Sequence, residues 1–170
     1  MSTTIKTVFS SLPVGNATGL QLTSCQRFNI RLEESPTTTS TWYPSIFNGK
    51  FQGALLVTKR PEKSFKFYKE SSNFNMRDLF LGLDQADVTK PLVFVQSVTE
   101  AVKLSEKYSN VNFVGCFVGM STFKIPTKFR KKFKKVFLLI LDEDKDIYEA
   151  NKASSYSYVK KIFEKDLITL

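Results

Sequence analysis

The sequence predicts an α/β protein: a parallel sheet flanked by helices, preceded by a small α+β subdomain rich in β-hairpin. Two observations carry this. In the second half, continuous apolar runs ("PLVFVQS", "VNFVGCFVG", "VFLLILD") alternate with stretches whose apolar residues recur at helical spacing, the pattern of strand–helix–strand units. In the first half the apolar runs are shorter, mixed with Ser and Thr, and punctuated by turn residues, above all "NG" at Asn48-Gly49. With 170 residues there is room for a small domain with an appended subdomain, and the change of pattern divides the chain into 1–89 and 90–170.

Taken in order, "LPVGNATG" is turn material, and "LQLTSCQRFNIRLEE" predicts a short helix leading into a strand. The polar run "EESPTTTSTW" is a connection, after which "WYPSIFNGKFQGALLVTKR" reads as two strands joined by the Asn48-Gly49 turn. "KSFKFYKE" sets Phe65 and Phe67 among Lys63, Lys66 and Lys69, a third strand with a basic face. "MRDLFLGLDQADVTKP" is a short helix and loop.

The first buried strand is Pro91 to Ser97, followed by a helix with Val98, Ala101, Val102 and Leu104 on one face. Val111 to Gly119 is the second strand. Pro126 to Lys135 opens on proline and spaces Phe129 and Phe133 four apart, which predicts a basic helix with an aromatic stripe. "VFLLILD" is the third strand, "YEANKASSYSYVKKIFEK" a helix, and "LITL" a last short strand.

Composition excludes several chemistries. There is no histidine, so Ser/His and Cys/His nucleophilic machinery and imidazole-held metals are absent. Cys25 and Cys116 stand far apart without a CxxC spacing, so no zinc site and no disulfide framework can be read. Lys and Arg number 25 against 16 Asp and Glu, a net charge of +9, which favours an acidic partner, nucleic acid before a membrane surface. Without a signal peptide or an apolar run near membrane-spanning length, the expectation is a cytoplasmic protein with no membrane partner, in the host cytoplasm if the chain is viral.

The stretch "VFLLILDEDKDIYEA" drives an apolar run into Asp142, Glu143, Asp144 and Asp146. In an open α/β sheet, ligands collect beyond the carboxyl ends of strands. Residues i and i+2 of an extended segment point the same way, so Asp142 and Asp144 can share one Mg²⁺, a hard cation that takes oxygen ligands. The plainer alternative is an acidic loop that suits the start of the next helix.

The order of these segments resembles the Toprim domain of bacterial-type DNA primases, phage primase-helicases and topoisomerases. In that family one strand ends in Glu-Gly-x-x-Asp, a second at glycine and a third in Asp-x-Asp. Here "VFVQSVTEA", "FVGCFVG" and "VFLLILDEDKDIYEA" take those places. Upstream, the "WYPSIFNGKFQGALLVTKR" hairpin, the basic strand and the "LFLG" step resemble the subdomain that precedes Toprim in phage-type primases, so the resemblance covers roughly residues 17 to 170. It implies Mg²⁺ at Asp142, Asp144 and Asp146, primase-like nucleotidyl transfer, and template held by basic residues.

The chain departs from that pattern at the catalytic glutamate. Gln96 stands in its place, Ser97 replaces the glycine, Glu100 replaces the aspartate, and Ile147 stands where a glycine usually follows the aspartate pair. An amide neither exchanges a proton usefully nor matches a carboxylate as a magnesium ligand, so a degenerate site is expected.

For nucleic acid, the dense run "KFRKKFKK" offers Lys128, Arg130, Lys131, Lys132, Lys134 and Lys135, and the hairpin offers Lys59, Arg60, Lys63 and Lys66. The alternative is a solvated surface that promotes solubility. Of the aromatic residues, Phe94, Phe113, Phe117, Phe137 and Phe163 read as core, whereas Trp42 and Tyr43, or Phe65 and Phe67, are candidates for stacking on bases. The reading is a degenerate primase-like protein that binds single-stranded DNA or RNA and supports replication or priming, alongside a replication or viral protein partner. The alternative is a non-catalytic structural or protein-interaction module on the same scaffold.

Overall fold

The computed structural model describes residues 4–60, 63–70, 79–117, 131–141 and 160–170. The chain forms two compact units, Met1–Gln85 and Ala86–Leu170.

The first unit is built on an antiparallel sheet in the order β1-β2-β3-β4: β1 (Arg31–Glu34), β2 (Thr39–Phe47), β3 (Lys50–Arg60) and β4 (Ser64–Lys69). As expected, Asn48 and Gly49 make a two-residue turn between β2 and β3. Both have positive φ (52° and 74°), the conformation that matches the twist of the flanking strands and that Asn and Gly accept most readily. The expected helix into β1 is α2 (Leu22–Phe28), closed by Asn29 in the left-handed region.

A further helix, α1 (Ile5–Ser11), lies where the sequence shows only Ser/Thr-rich material. Its Thr4 side chain accepts from the Thr7 amide, a cap that few other residues could supply. Packing does the rest: the Phe9 ring lies 5.0 Å from Phe51 and 6.5 Å from Trp42, under the Arg31 guanidinium at 4.9 Å. Of the expected short helix and loop, Met76 to Asp78 lie outside the described residues; from Leu79 the segment holds a two-residue strand, β5 (Phe80–Leu81), and a 3₁₀ turn at Leu83–Gln85. The Phe80 amide donates to Ser45 Oγ at 3.0 Å, tying this segment to β2.

The second unit confirms the parallel sheet. Its strands are β6 (Leu92–Val95), β7 (Asn112–Cys116), β8 (Val136–Leu139) and β9 (Lys160–Ile162), in the order β7-β6-β8-β9 and all parallel. Between β6 and β7 runs α3 (Val98–Lys107), which buries the four residues expected of it, Val98, Ala101, Val102 and Leu104. Its start sits very close to β7: a Cβ on Gly115 would lie 2.7 Å from Val98 Cα, so glycine is required there.

Three expectations for the C-terminal half need correction. The basic helix ends at Lys132, and Lys134 and Lys135 lead into β8 after the buried Phe133; residues 118–130 lie outside the described residues. Of the helix expected from Tyr148 to Lys165, residues 148–159 lie outside the described residues, and its end is instead β9, where Ile162 is buried beside Leu139. "LITL" belongs to a 3₁₀ helix, Glu164–Thr169, instead of a strand. Asp166 accepts from the Phe163 amide at 2.8 Å and turns the chain, so Leu167 is buried while Ile168 remains 76% exposed. Of the expected core phenylalanines, Phe94, Phe113, Phe117 and Phe137 are buried and Phe163 is partly exposed. Among the described residues no helix is long and apolar enough to cross a membrane.

Gly115→Ala is expected to destabilise the protein by about 1–3 kcal/mol, an overpacking cost measurable by denaturant unfolding. Adding Val98→Ala should recover little of it, because the nearest atom to the new methyl group is backbone.

Candidate functional site

The order β7-β6-β8 means that the chain leaves β6 in one direction to reach β7 and returns to the other side for β8. That reversal is a switch point, and the carboxyl ends of β6 and β8 flank the crevice it leaves. Gln96 directly follows β6. The registered pair Val95 and Leu139 brings the end of β8 alongside, two residues before Leu141 and the acidic run.

Gln96 is the unusual group here. Its Oε1 and Nε2 are both shielded from solvent, and neither has a hydrogen-bond partner among the described residues. Leaving buried amide atoms unpaired costs on the order of 1–3 kcal/mol each, so the position holds unused polar capacity. Ser97 caps α3, its Oγ accepting from the Glu100 amide at 3.2 Å. Glu100 itself is 39% exposed, lies in the first turn of α3 and faces Lys103 at 3.9 Å. A solvated position at a helix start accounts for it without any ligand.

Asp142, Asp144 and Asp146 lie outside the described residues, as do Lys128 and Arg130. Among the described residues no group of three His, Cys, Asp or Glu side chains gathers to hold a metal. The donor that the structure does describe, the shielded Gln96 Oε1, is an oxygen of the hard type that Mg²⁺ takes, but it is neutral.

Cys116 ends β7 near the same edge, and burial pushes its thiol well above the usual value. A thiol held neutral in this way is not a nucleophile at physiological pH.

The basic residues fall into separate groups. Lys59, Lys63 and Lys66 are exposed at the ends and along the β3–β4 pair, and Arg60 closes β3. β4 is the edge of its sheet, and alternation sends Phe65 and Phe67 to one face with Lys69, which the sequence placed on the basic strand but not among the nucleic-acid residues. Phe65 is 58% and Phe67 43% exposed, and Lys63 Nζ lies 5.6 Å from the Phe65 ring. Lys66 points to the opposite face, 5.0 Å from the Tyr68 ring, so β4 is basic on both sides and the expected single basic face is not what forms. Trp42 and Tyr43 are 2% and 0% exposed and cannot stack on a base; the Tyr43 hydroxyl instead pairs with Thr18 Oγ1 at 3.2 Å. In the second unit Lys131, Lys132, Lys134 and Lys135 are all exposed.

No family model and no curated protein matches the chain. Solved structures do. The primase fragment of the bacteriophage T7 primase-helicase protein superposes with a TM-score of 0.72 over 91% of this chain and 67% of its own, at 15% identity. The fold is that of a primase catalytic core. The DnaG catalytic core gives a TM-score of 0.66 at 12% identity, and the Escherichia coli primase catalytic core 0.62 at 13%, each over 86% of this chain and 62% of its own. The chain thus spans about two thirds of the length of these structures. A primase-core fold agrees with the parallel Toprim-like sheet and the preceding hairpin-rich subdomain expected from the motif order.

Gln96→Glu is expected to lower stability at neutral pH, because the new carboxylate would be desolvated where none of the described residues pairs with the side chain. Burial raises its folded-state pKa above the unfolded value of about 4.3, so stability is retained below that value and lost as pH rises through the folded pKa. Unfolding curves at several pH values check this, and rescue by millimolar Mg²⁺ would indicate that carboxylates from β8 complete a cation site. For Cys116 the same linkage sign applies at higher pH. Its contribution is intact below the unfolded thiol pKa, about 8.5, and is lost as pH rises toward the elevated folded value. A Cys116→Ala variant should show a flatter alkaline limb in the stability–pH profile.

Proposed function

We propose that the protein binds single-stranded nucleic acid on a primase-type scaffold and acts in support of priming or replication, with phosphoryl transfer weakened or lost. The observation that carries the binding reading is the pair of exposed rings, Phe65 and Phe67, among lysines on an open edge strand. A large apolar ring left in water is costly unless something covers it, and flat rings beside ammonium groups suit bases and their phosphates. A neighbour in fold, the DnaG primase catalytic domain, was solved bound to single-stranded DNA, which supports the choice of ligand.

The reading of weakened catalysis rests on Gln96. Two-metal phosphoryl transfer relies on clustered carboxylates to hold cations against the triphosphate and the attacking hydroxyl, and a neutral amide in the cluster removes one negative charge. If Mg²⁺ binds, Asp142 and Asp144, with Asp146 near them, are the residues proposed to hold it, with the Gln96 oxygen as a neutral neighbour. The bound ion would supply charge neutralisation for phosphate oxygens. Glu100, on a solvated helix start, is better assigned to the favourable charge of the first turn of α3 than to acid–base work.

Binding of a fluorescent single-stranded oligonucleotide should fall steeply with added salt, as counterion release requires. Phe65→Ala/Phe67→Ala should weaken it by about 1–3 kcal/mol per lost stacking contact, and charge reversal at Lys131, Lys132, Lys134 and Lys135 should weaken it and flatten the salt dependence. Association that ignores salt and survives both sets of substitutions would instead favour a protein-interaction module. Template-directed dinucleotide synthesis at wild-type primase rates would overturn the loss of catalysis.

A further inference from the structure

At the amino ends of β6 and β8, the opposite end of the parallel sheet from Gln96, lies a surface pocket of about 190 Å³ lined by Val88, Thr89, Lys90, Pro91, Lys134 and Lys135. The five residue steps from Pro91 to Gln96 put roughly 16 Å of extended chain between it and the switch point. We propose that this pocket is a second, separate binding site, one that takes a phosphate group.

The lining residues include three lysines and no acidic residue. Lys134 and Lys135 are exposed and form no ion pair among the described residues. Lys90 is held in place: its Nζ donates to the Ser109 carbonyl at 2.9 Å, which fixes the head group and leaves two of its three N–H donors for a ligand. The nearby carboxylate, Asp87, is bonded to the wall residue Thr89 and feels the charge of Lys90. Its Oδ1 accepts from Thr89 Oγ1 at 2.6 Å and from the Thr89 amide at 2.9 Å. Those bonds keep it ionised, so it trims the local positive charge without closing the pocket.

The walls are also preorganised, which distinguishes this pocket from a chance cluster of surface lysines. Asn112, 2% exposed at the start of β7, uses its whole amide on the loop that forms one wall. Its Oδ1 accepts from the Asp87 amide at 2.8 Å, and its Nδ2 donates to the carbonyls of Asp87 and Lys90 at 2.7 and 3.2 Å. The second wall is joined to the first by the Leu92 amide, which donates to the Lys135 carbonyl at 2.9 Å. Three strand starts therefore hold the lysine backbones at fixed spacing before any ligand arrives, reducing the ordering cost of binding. Compact ammonium charges suit phosphate oxygens, which accept from several directions without the planar pairing a guanidinium needs. The volume admits one or two phosphate groups, and Val88 and Pro91 give an apolar rim against which a sugar could rest.

The phosphate could belong to a nucleic-acid backbone or to a free phosphoanion, and one titration separates them. Sodium pyrophosphate is added at constant ionic strength to the full-length, isotopically labelled chain and followed by amide NMR. The expected result is saturable shifts centred on residues 88–91 and 134–135. Lys134→Gln/Lys135→Gln should weaken binding about tenfold while leaving the remaining spectrum, and so the fold, intact. Displacement of pyrophosphate by a short single-stranded oligonucleotide assigns the site to a backbone phosphate; persistence assigns it to a free phosphoanion. Linear shifts spread over all exposed lysines, or saturation unchanged in the double variant, would overturn the site. The inference extends the nucleic-acid reading without depending on it, since Phe65→Ala/Phe67→Ala should abolish stacking yet leave this titration untouched.

Discussion

The second unit hangs on one four-residue strand. Leu92, Val93, Phe94 and Val95 have no solvent exposure, and both edges of β6 are hydrogen-bonded in parallel, to β7 and to β8. A strand buried on both faces and both edges can neither slip nor twist away, because a shift of one residue would exchange its two apolar faces and break two ladders at once. The position of everything at its two ends follows. Its carboxyl end delivers Gln96 to the switch point, and its amino end delivers Lys90 and Pro91 to the basic pocket.

Those ends differ in chemistry for a physical reason. At the carboxyl end the Gln96 amide is shielded and unpaired among the described residues, and the Cys116 thiol is neutral by burial. At the amino end the polar groups are solvated and positively charged, and their backbone is pinned by Asn112. A buried, unsatisfied amide is tolerated only where the surrounding fold over-determines it, and β6 supplies that rigidity. The close contact of Gly115 with Val98 adds to it by locking the first turn of α3 against β7.

The first unit solves a different problem. Its sheet is small, and an aromatic group of Phe9, Trp42, Phe51 and Tyr68 consolidates one side of it, with Trp42 and Tyr68 stacked at 5.6 Å. Rings spent on this packing are unavailable to a ligand. That is why Trp42 is a core residue; Tyr43, on the opposite face of β2, is buried too, whereas Phe65 and Phe67 on the edge strand keep their faces in solvent.

Long-range pattern was legible in the sequence by itself. The apolar runs ending at Val95, Cys116 and Leu139, the helical face of α3 and the Asn48-Gly49 turn each have a local signature, and their order was enough to anticipate a hairpin-rich subdomain before a parallel Toprim-like sheet. An amide at Gln96, where the resemblance implies a carboxylate, was equally plain. Tertiary structure alone decided the rest. α1 has β-branched and hydroxyl residues that favour no helix, and it forms because Phe9 finds a ring to pack on. Ile162 becomes a strand residue because β8 offers a free edge, and "LITL" coils because Asp166 caps the turn and only one face needs burial. Lys90 gave no signal as a loop lysine before a proline. It joins Lys134 and Lys135 only because β6 and β8 begin side by side, a proximity between residues more than forty positions apart that no local pattern encodes.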